Sequence, residues 1–273
     1  MKNIVIFFLL GLLPFCQLTA QTGTIRMSSE QAALLCSEAE ALFHEANEIS
    51  RDDQSQAFEL CRKAAARYER VLLESDLQNS KIHYNLGNIY FRMQDIGRAI
   101  LEYRRALQLD PNDGKLLRNL QFARASRQDQ FKLPEQTRIL KTLFFWHYDF
   151  PFYLRQLVFL SFFLLLWGCA TACIWCRSLW LRACLVFLII LSLGFGLSLS
   201  LTLYQLHSDK YGVILAREVI ARKGDSDSYS PSFTDPLHAG TEFKLLQQRQ
   251  GWAEIELPDK QTCWLPNQDF ELL

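Results

Sequence analysis

Along this chain the apolar positions fall into four successive patterns. A first run, IVIFFLLGLLPF, occupies residues 4–15 behind Lys2 and leads through Leu18-Thr19-Ala20 to Gln21. Residues 28–127 are polar and almost free of Gly and Pro, with apolar residues at helical spacing. Leu86, Ile89, Tyr90 and Met93 form one such set, and Ala99, Tyr103 and Ala106 open another beyond a break at Gln94-Asp95. Two long runs, 157–176 and 183–203, contain no charged residue. From residue 210 the pattern shortens to alternation, as in Val213, Leu215, Val219 and Ala221, interrupted by turn residues.

Each pattern predicts an element. The two charge-free runs meet the length of about 20 residues that a membrane-spanning helix needs. The first run is shorter, and its basic start and small residue at the exit predict a cleavable secretory signal, 1–20, cut after Ala20. Cys16 raises a lipoprotein alternative, which the bulky Phe15 before it argues against. Within the polar region, residues 80–113 read as a helical hairpin ended by Pro111, because Pro cannot continue a helix and turns the residue before it away from helical angles. Gly87 and Ala99 are small where its two helices must approach. AEALFHEANEIS (39–50) and AAARYERVLLES (64–75) read as two halves of a degenerate copy with extra residues in its turn, and 114–126 as a closing helix. A lone hairpin cannot bury its apolar face, so a stack of about five helices is expected.

Residues 80–113, SKIHYNLGNIYFRMQDIGRAILEYRRALQLDPND, resemble a tetratricopeptide repeat in length and in the signature Asn-Leu-Gly-x-x-Tyr, Ala, Tyr-x-x-Ala-Leu, Asp-Pro-Asn. They depart from it at the early Trp position, where His83 stands as a packing residue. The tail resembles a bacterial SH3-like domain through His238-Ala239-Gly240-Thr241, Gly251-Trp252 and Cys263-Trp264-Leu265-Pro266, with Cys263 where the family usually has Gly. The order of parts is similar to the BatE-type proteins of the Bacteroides aerotolerance operon. That resemblance implies an inner-membrane protein of Bacteroidetes-like bacteria, beside membrane-anchored von Willebrand A-domain partners and a MoxR-type ATPase, with a role in oxidative or envelope stress.

The expected architecture is a multi-domain membrane protein. An all-α tetratricopeptide-repeat solenoid (28–127) precedes a linker and interfacial aromatic segment (128–156). A two-helix transmembrane hairpin (157–176 and 183–203) follows, and a small all-β SH3-like barrel (211–273) ends the chain. Phe144, Phe145, Trp146, Tyr148, Phe150, Phe152 and Tyr153 crowd before the first span and read as a collar at the headgroup level. Arg177 and Arg182 lie in the turn 177–182, with Arg155 and Lys210 outside the spans. The charges balance, and the signal decides: export of the helical domain makes the turn cytoplasmic and both flanking domains periplasmic.

Composition removes several function classes. The 29 basic and 29 acidic residues balance, so no basic stripe points to nucleic acid. The five histidines are scattered, and no HExxH, nucleophile elbow, P-loop or dinucleotide turn occurs. No catalytic, metal or cofactor site is expected. Among the eight cysteines, Cys169, Cys173 and Cys176 share a helix face in the first apolar run. They read as small packing residues rather than a thiol relay, because nothing in hydrocarbon lowers a thiol pKa. Cys36 and Cys61 would be offset by about 10 Å across their hairpin, too far for a disulfide.

What remains is binding. The repeat resemblance implies a groove formed by Tyr84, Asn85, Asn88 and Arg92, continued by Lys115, Arg118, Asn119 and Phe122. Amides, cations and aromatics of this kind suit an extended peptide with an acidic or C-terminal carboxylate group. The expected function is a non-enzymatic membrane scaffold holding partner proteins. The alternative is a cell-wall sensor in which Trp252 and Trp264 touch peptidoglycan, with core packing accounting for at least one of the two.

Overall fold

The computed structural model describes residues 27–131, 134–176 and 178–273. The run read as a signal, with Cys16, and Arg177 of the turn lie outside the described residues. Five helices come first: α1 (Ser29–Ile49), α2 (Gln54–Glu74), α3 (Ser80–Arg92), α4 (Ile96–Leu109) and α5 (Gly114–Ala125). Each begins where the sequence supplies a side-chain acceptor, in turn Ser28, Asp53, Asn79, Asp95 and Asp113. Such caps satisfy backbone N–H groups that the helix leaves free.

The helices pack pairwise around Tyr68, Leu86, Ile89, Ile100, Tyr103, Leu116 and Leu120, all essentially inaccessible. Gly87 is small because the Tyr103 ring lies on it; a Cβ there would stand 2.6 Å from Tyr103 Cδ1. The first hairpin differs from expectation. Its turn is short, between Ile49 and Gln54, and the extra residues lengthen the helices to 21 residues each.

Next come α6 (Glu135–Leu143), α7 (Phe145–Tyr148), α8 (Phe152–Trp175) and α9 (Leu179–Ser208). α8 and α9 are long and apolar enough to cross a membrane. They pack together through Phe162 and Phe195, 5.8 Å between ring centroids, and through Gly196 against Phe159. Their other faces are bare: Leu164, Leu165, Trp167, Phe187, Ile190 and Leu193 are all exposed. Both helices overrun the charge-free segments. Arg155, expected outside the first span, sits on the first turns of α8, and Arg182, expected in the turn, lies in α9.

The tail forms β1 (Lys210–Ile214), β2 (Glu218–Val219), β3 (Leu237–His238), β4 (Glu242–Arg249), β5 (Trp252–Glu256), β6 (Thr262–Pro266) and β7 (Phe270–Leu272). Five strands make an antiparallel sheet in the order β6-β5-β4-β1-β7, and β2 and β3 pair separately. Gly251, at φ +82°, makes the tight β4–β5 turn that a side chain would strain. Backbone hydrogen bonds between Arg222 and Trp264, 2.9 and 2.8 Å, stitch the segment after β2 onto β6. β6 and β7 are both sheet edges, so the expected barrel is not closed.

The tail is docked on the helical module. Val213 of β1 is buried in the same apolar cluster as Ile100 and Ala106, with Leu215 and Leu273 packed against it. Two glycines set the distance. A Cβ on Gly97, in the first turn of α4, would lie 2.9 Å from the Ile214 carbonyl oxygen. A Cβ on Gly240 (φ +90°) would lie 3.1 Å from Ile100 Cδ1. Gly97→Ala therefore sets two effects against each other. Alanine gains about 1 kcal/mol of helix propensity, while crowding a backbone oxygen costs about 1–3 kcal/mol. Crowding should win, and the detergent-purified full-length variant should melt lower than the parent. A higher melting temperature would show that β1 does not approach α4 this closely.

Candidate binding surfaces

α1, α3 and α5 share one face of the module. α3 meets α5 through Asn119, whose Nδ2 donates to Tyr84 Oη (3.2 Å) and to Asn88 Oδ1 (2.9 Å). Asn88 Oδ1 also accepts from Tyr103 Oη at 2.8 Å. These bonds use the oxygen of Asn88 and the nitrogen of Asn119, and among the described residues the Asn88 nitrogen and the Asn119 oxygen show no hydrogen bond, on two half-buried side chains. Such a pair matches the donor and acceptor of an extended backbone. Beside it, the Phe122 ring lies 5.4 Å from Phe91 and remains 65% exposed. Arg92, Lys115 and Arg118 are exposed and, among the described residues, make no ion pair.

Of the eight residues expected in the groove, Tyr84, Asn88 and Asn119 are brought into contact with one another, and Phe122 packs on Phe91. Arg92, Lys115 and Arg118 lie on the same two helices, α3 and α5, and are exposed. Asn85 is placed differently. Its Nδ2 donates to Tyr68 Oη of α2 at 3.0 Å and lies 3.5 Å from Glu40 of α1, so it joins the hairpins at their seam. Burial pushes the Tyr68 hydroxyl up to about 12, and this hydroxyl stays protonated beside the amide.

The two tail tryptophans separate. Trp264 is only 7% exposed, and the Arg249 guanidinium stacks over its ring, Cζ 4.9 Å from the centroid. Asp225 holds Arg249 there at 2.7 Å. Its face is occupied by the chain itself, so of the two tryptophans it is Trp264 that serves as a packing residue. Trp252 is half-buried. Cys263, where the SH3-like pattern has Gly, is buried, and desolvation pushes its thiol up to about 12.

The strongest electrostatic feature lies where the tail meets the helices. Glu242, the first residue of β4, accepts from Arg124 Nε and Nη2, both at 2.7 Å. Arg104 (3.4 Å) and Arg127 (3.5 Å) flank the same carboxylate. Burial alone would raise the Glu242 pKa, but the Arg124 hydrogen bonds and the three cations outweigh it and hold the carboxyl below its ordinary range. Asp129 is a second anchor. It accepts from the His238 backbone N–H (2.7 Å) and Thr241 Oγ1 (2.6 Å), and its other oxygen meets His238 Nδ1 at 2.7 Å. Burial raises its pKa as well, and these hydrogen bonds bring it below the usual value. On the far side, Arg105 spans Glu102 (2.8 Å), Glu271 (2.5 Å) and the Leu272 carbonyl (3.1 Å). Glu102 also meets His83 Nδ1 at 2.6 Å, which gives the departed Trp position a structural role.

No pattern in the sequence announced the contacts between helices and tail, because their partners stand 109 to 167 residues apart. Among the described residues no cluster of three His, Cys, Asp or Glu is placed to hold a metal. Comparison with protein families matches residues 80–113 to the tetratricopeptide repeat. No curated protein matches the chain. The helical region is thus a tetratricopeptide-type module, a class that works by holding other proteins.

Glu242→Gln removes the one anion among three guanidinium groups. Losing one partner of a buried pair costs about 3–5 kcal/mol, and the partly wet arginines place this site near the lower figure. The wild-type carboxylates stabilise the fold above their ordinary range near pH 4 and lose that contribution as pH falls through their lowered values. Melting temperature should therefore drop below about pH 4 in the parent, and the acid limb should be shallower in E242Q. Parallel acid limbs would remove Glu242 from the docking account.

Proposed function

We propose that this protein is a non-enzymatic membrane scaffold whose repeat module holds a partner protein on the face shared by α1, α3 and α5. The carrying observation is that α3 and α5 bear exposed cations, Arg92, Lys115 and Arg118, with no ion pair among the described residues, together with the Phe91–Phe122 pair and the amides of Asn88 and Asn119. A carboxylate-bearing extended segment suits that chemistry. The resemblance to BatE-type proteins supports the reading that the partner belongs to a Bat-type envelope complex, with von Willebrand A-domain membrane proteins as the candidates.

Membrane anchorage is supported by the bareness of α8 and α9. Helices hydrophobic on all sides belong inside a large core or in lipid, and these have no core around them. Docking adds a topological argument. Glu242 meets Arg124 across the hairpin, so the module and the tail lie on one side, as an even number of spans requires. The signal-like N-terminus supports the reading that this side is the periplasm of an inner-membrane protein. A wall-sensing role for the tail is the weaker reading, since Trp264 is covered. Deleting the tail is not a clean control, because Val213 and Leu273 pack into the helical cluster.

Reversal of Arg92 and Arg118 to Glu should leave the fold intact, since exposed charges usually change stability by less than about 0.5 kcal/mol. Capture of partners crosslinked in intact cells should fall at least tenfold, as the loss of charge-assisted hydrogen bonds worth about 1.5–3 kcal/mol implies. Undiminished capture by the folded variant would rule this face out. Orientation is tested separately in a cysteine-free background. An impermeant thiol reagent should label a cysteine at Asn112 or Asp227 and spare one at Ser178, and labelling at Ser178 alone would invert the topology.

A further inference from the structure

The five helices of the module all start from a side-chain cap, but α8 does not. It begins after Pro151 with no side chain accepting from its first turn. A helix start of this kind presents unsatisfied N–H groups and a partial positive charge. A full positive charge lies next to it. Arg155 is 5% exposed, and its guanidinium turns back over Phe152, the first residue of α8, with Cζ 5.8 Å from the ring centroid.

The partners of Arg155 carry no negative charge. Nη1 donates to Ser198 Oγ (3.0 Å) and Thr202 Oγ1 (3.0 Å) and lies 3.1 Å from His147 Nδ1, which itself stands 2.8 Å from Ser198 Oγ. Burial lowers the His147 pKa and the neighbouring Arg155 charge lowers it further, so both disfavour a charged ring there. Arg155 Nε is buried with no hydrogen-bond partner among the described residues. Among the described residues no carboxylate pairs with Arg155. A buried guanidinium beside an uncapped helix start is a double positive site, and leaving it without an anion is costly.

We propose that this corner binds the phosphate of an anionic phospholipid headgroup, received by the first-turn N–H groups of α8 and the Arg155 guanidinium. The proposal rests on α8 and α9 being membrane spans. Depth favours lipid over an acidic side chain from another protein. The corner lies at the end of the span nearest the folded domains, and Trp146, Tyr148 and Tyr153 flank it in the chain, residue types that concentrate at headgroup level. Lys141, 5.9 Å above the Tyr148 ring, adds a cation on the same rim. Helix starts hold phosphate through several N–H groups at once, and the planar guanidinium suits the same oxygens.

The test uses the full-length chain in vesicles of equal parts phosphatidylglycerol and phosphatidylcholine, followed by native mass spectrometry of the lipid retained. Insertion is checked on the same samples by resistance to alkaline extraction. The parent should retain phosphatidylglycerol over phosphatidylcholine by about tenfold. Arg155→Gln should retain the two equally, and Arg155→Lys should keep a preference. Inserted parent and R155Q with the same lipid preference would overturn the site and leave the spans standing. A parent that does not insert would overturn the spans and the site together. If R155Q itself fails to insert, the melting temperature of the parent and R155K decides: a rise on adding phosphatidylglycerol supports the site, and no rise refutes it. An equal rise with inorganic phosphate alone, in detergent without lipid, would assign the corner to a free anion instead. Co-purification of an acidic membrane segment in place of anionic lipid would likewise refute the lipid assignment.

Discussion

One carboxylate, Glu242, joins segments 118 residues apart in the chain. Between them the polypeptide runs through a linker, two long apolar helices and a turn before it returns. Three arginines from α4, from α5 and from the end of α5 converge on that carboxylate. The geometry requires the chain to come back to the side it left. Everything downstream follows from this closure: the tail covers one side of the helical module, α1, α3 and α5 stay open, and the hairpin is held at both ends.

Closure changes what the parts can do separately. Val213 completes the helical cluster, Gly97 lets the start of α4 approach the Ile214 carbonyl, and Gly240 leaves room for the Ile96 and Ile100 side chains. The tail is therefore a structural partner of the repeats as much as a module of its own. Its Trp264 lies beneath Arg249, and its Cys263 thiol is buried and protonated. On the proposed reading, the surface left for binding is the face of the repeats that carries Arg92, Lys115 and Arg118. Rigid presentation of such a face suits a scaffold, because the partner meets an already ordered surface.

Much of this was legible in the sequence, and the parts that were not share a cause. The helical hairpin at residues 80–113 could be read because its apolar spacing, its Gly87 and its Pro111 are all local signals. The apolar helices were equally plain, although their ends were not: Arg155 lies inside α8 because Ser198 and Thr202, more than forty residues away, bury it. Asn85 has the right register for the groove, yet the hydroxyl of Tyr68 draws it to the seam. The first hairpin was read with a long turn, whereas its extra residues keep good helix-forming character and extend both helices. The open sheet and the Glu242 anchor depend on pairings between distant residues, which neither periodicity nor composition encodes.

The central claim is that the repeats and the tail form one docked unit on one side of the membrane. A photoreactive residue placed at Ile96, whose Cγ2 lies 3.3 Å from where a Cβ on Gly240 would stand, tests it directly. On irradiation of intact cells, the account predicts an intramolecular crosslink, identified by mass spectrometry, to the tail peptide that contains His238 to Thr241. Crosslinks from Ile96 that run only to lipid or to other proteins, with that tail peptide unmodified, would contradict it.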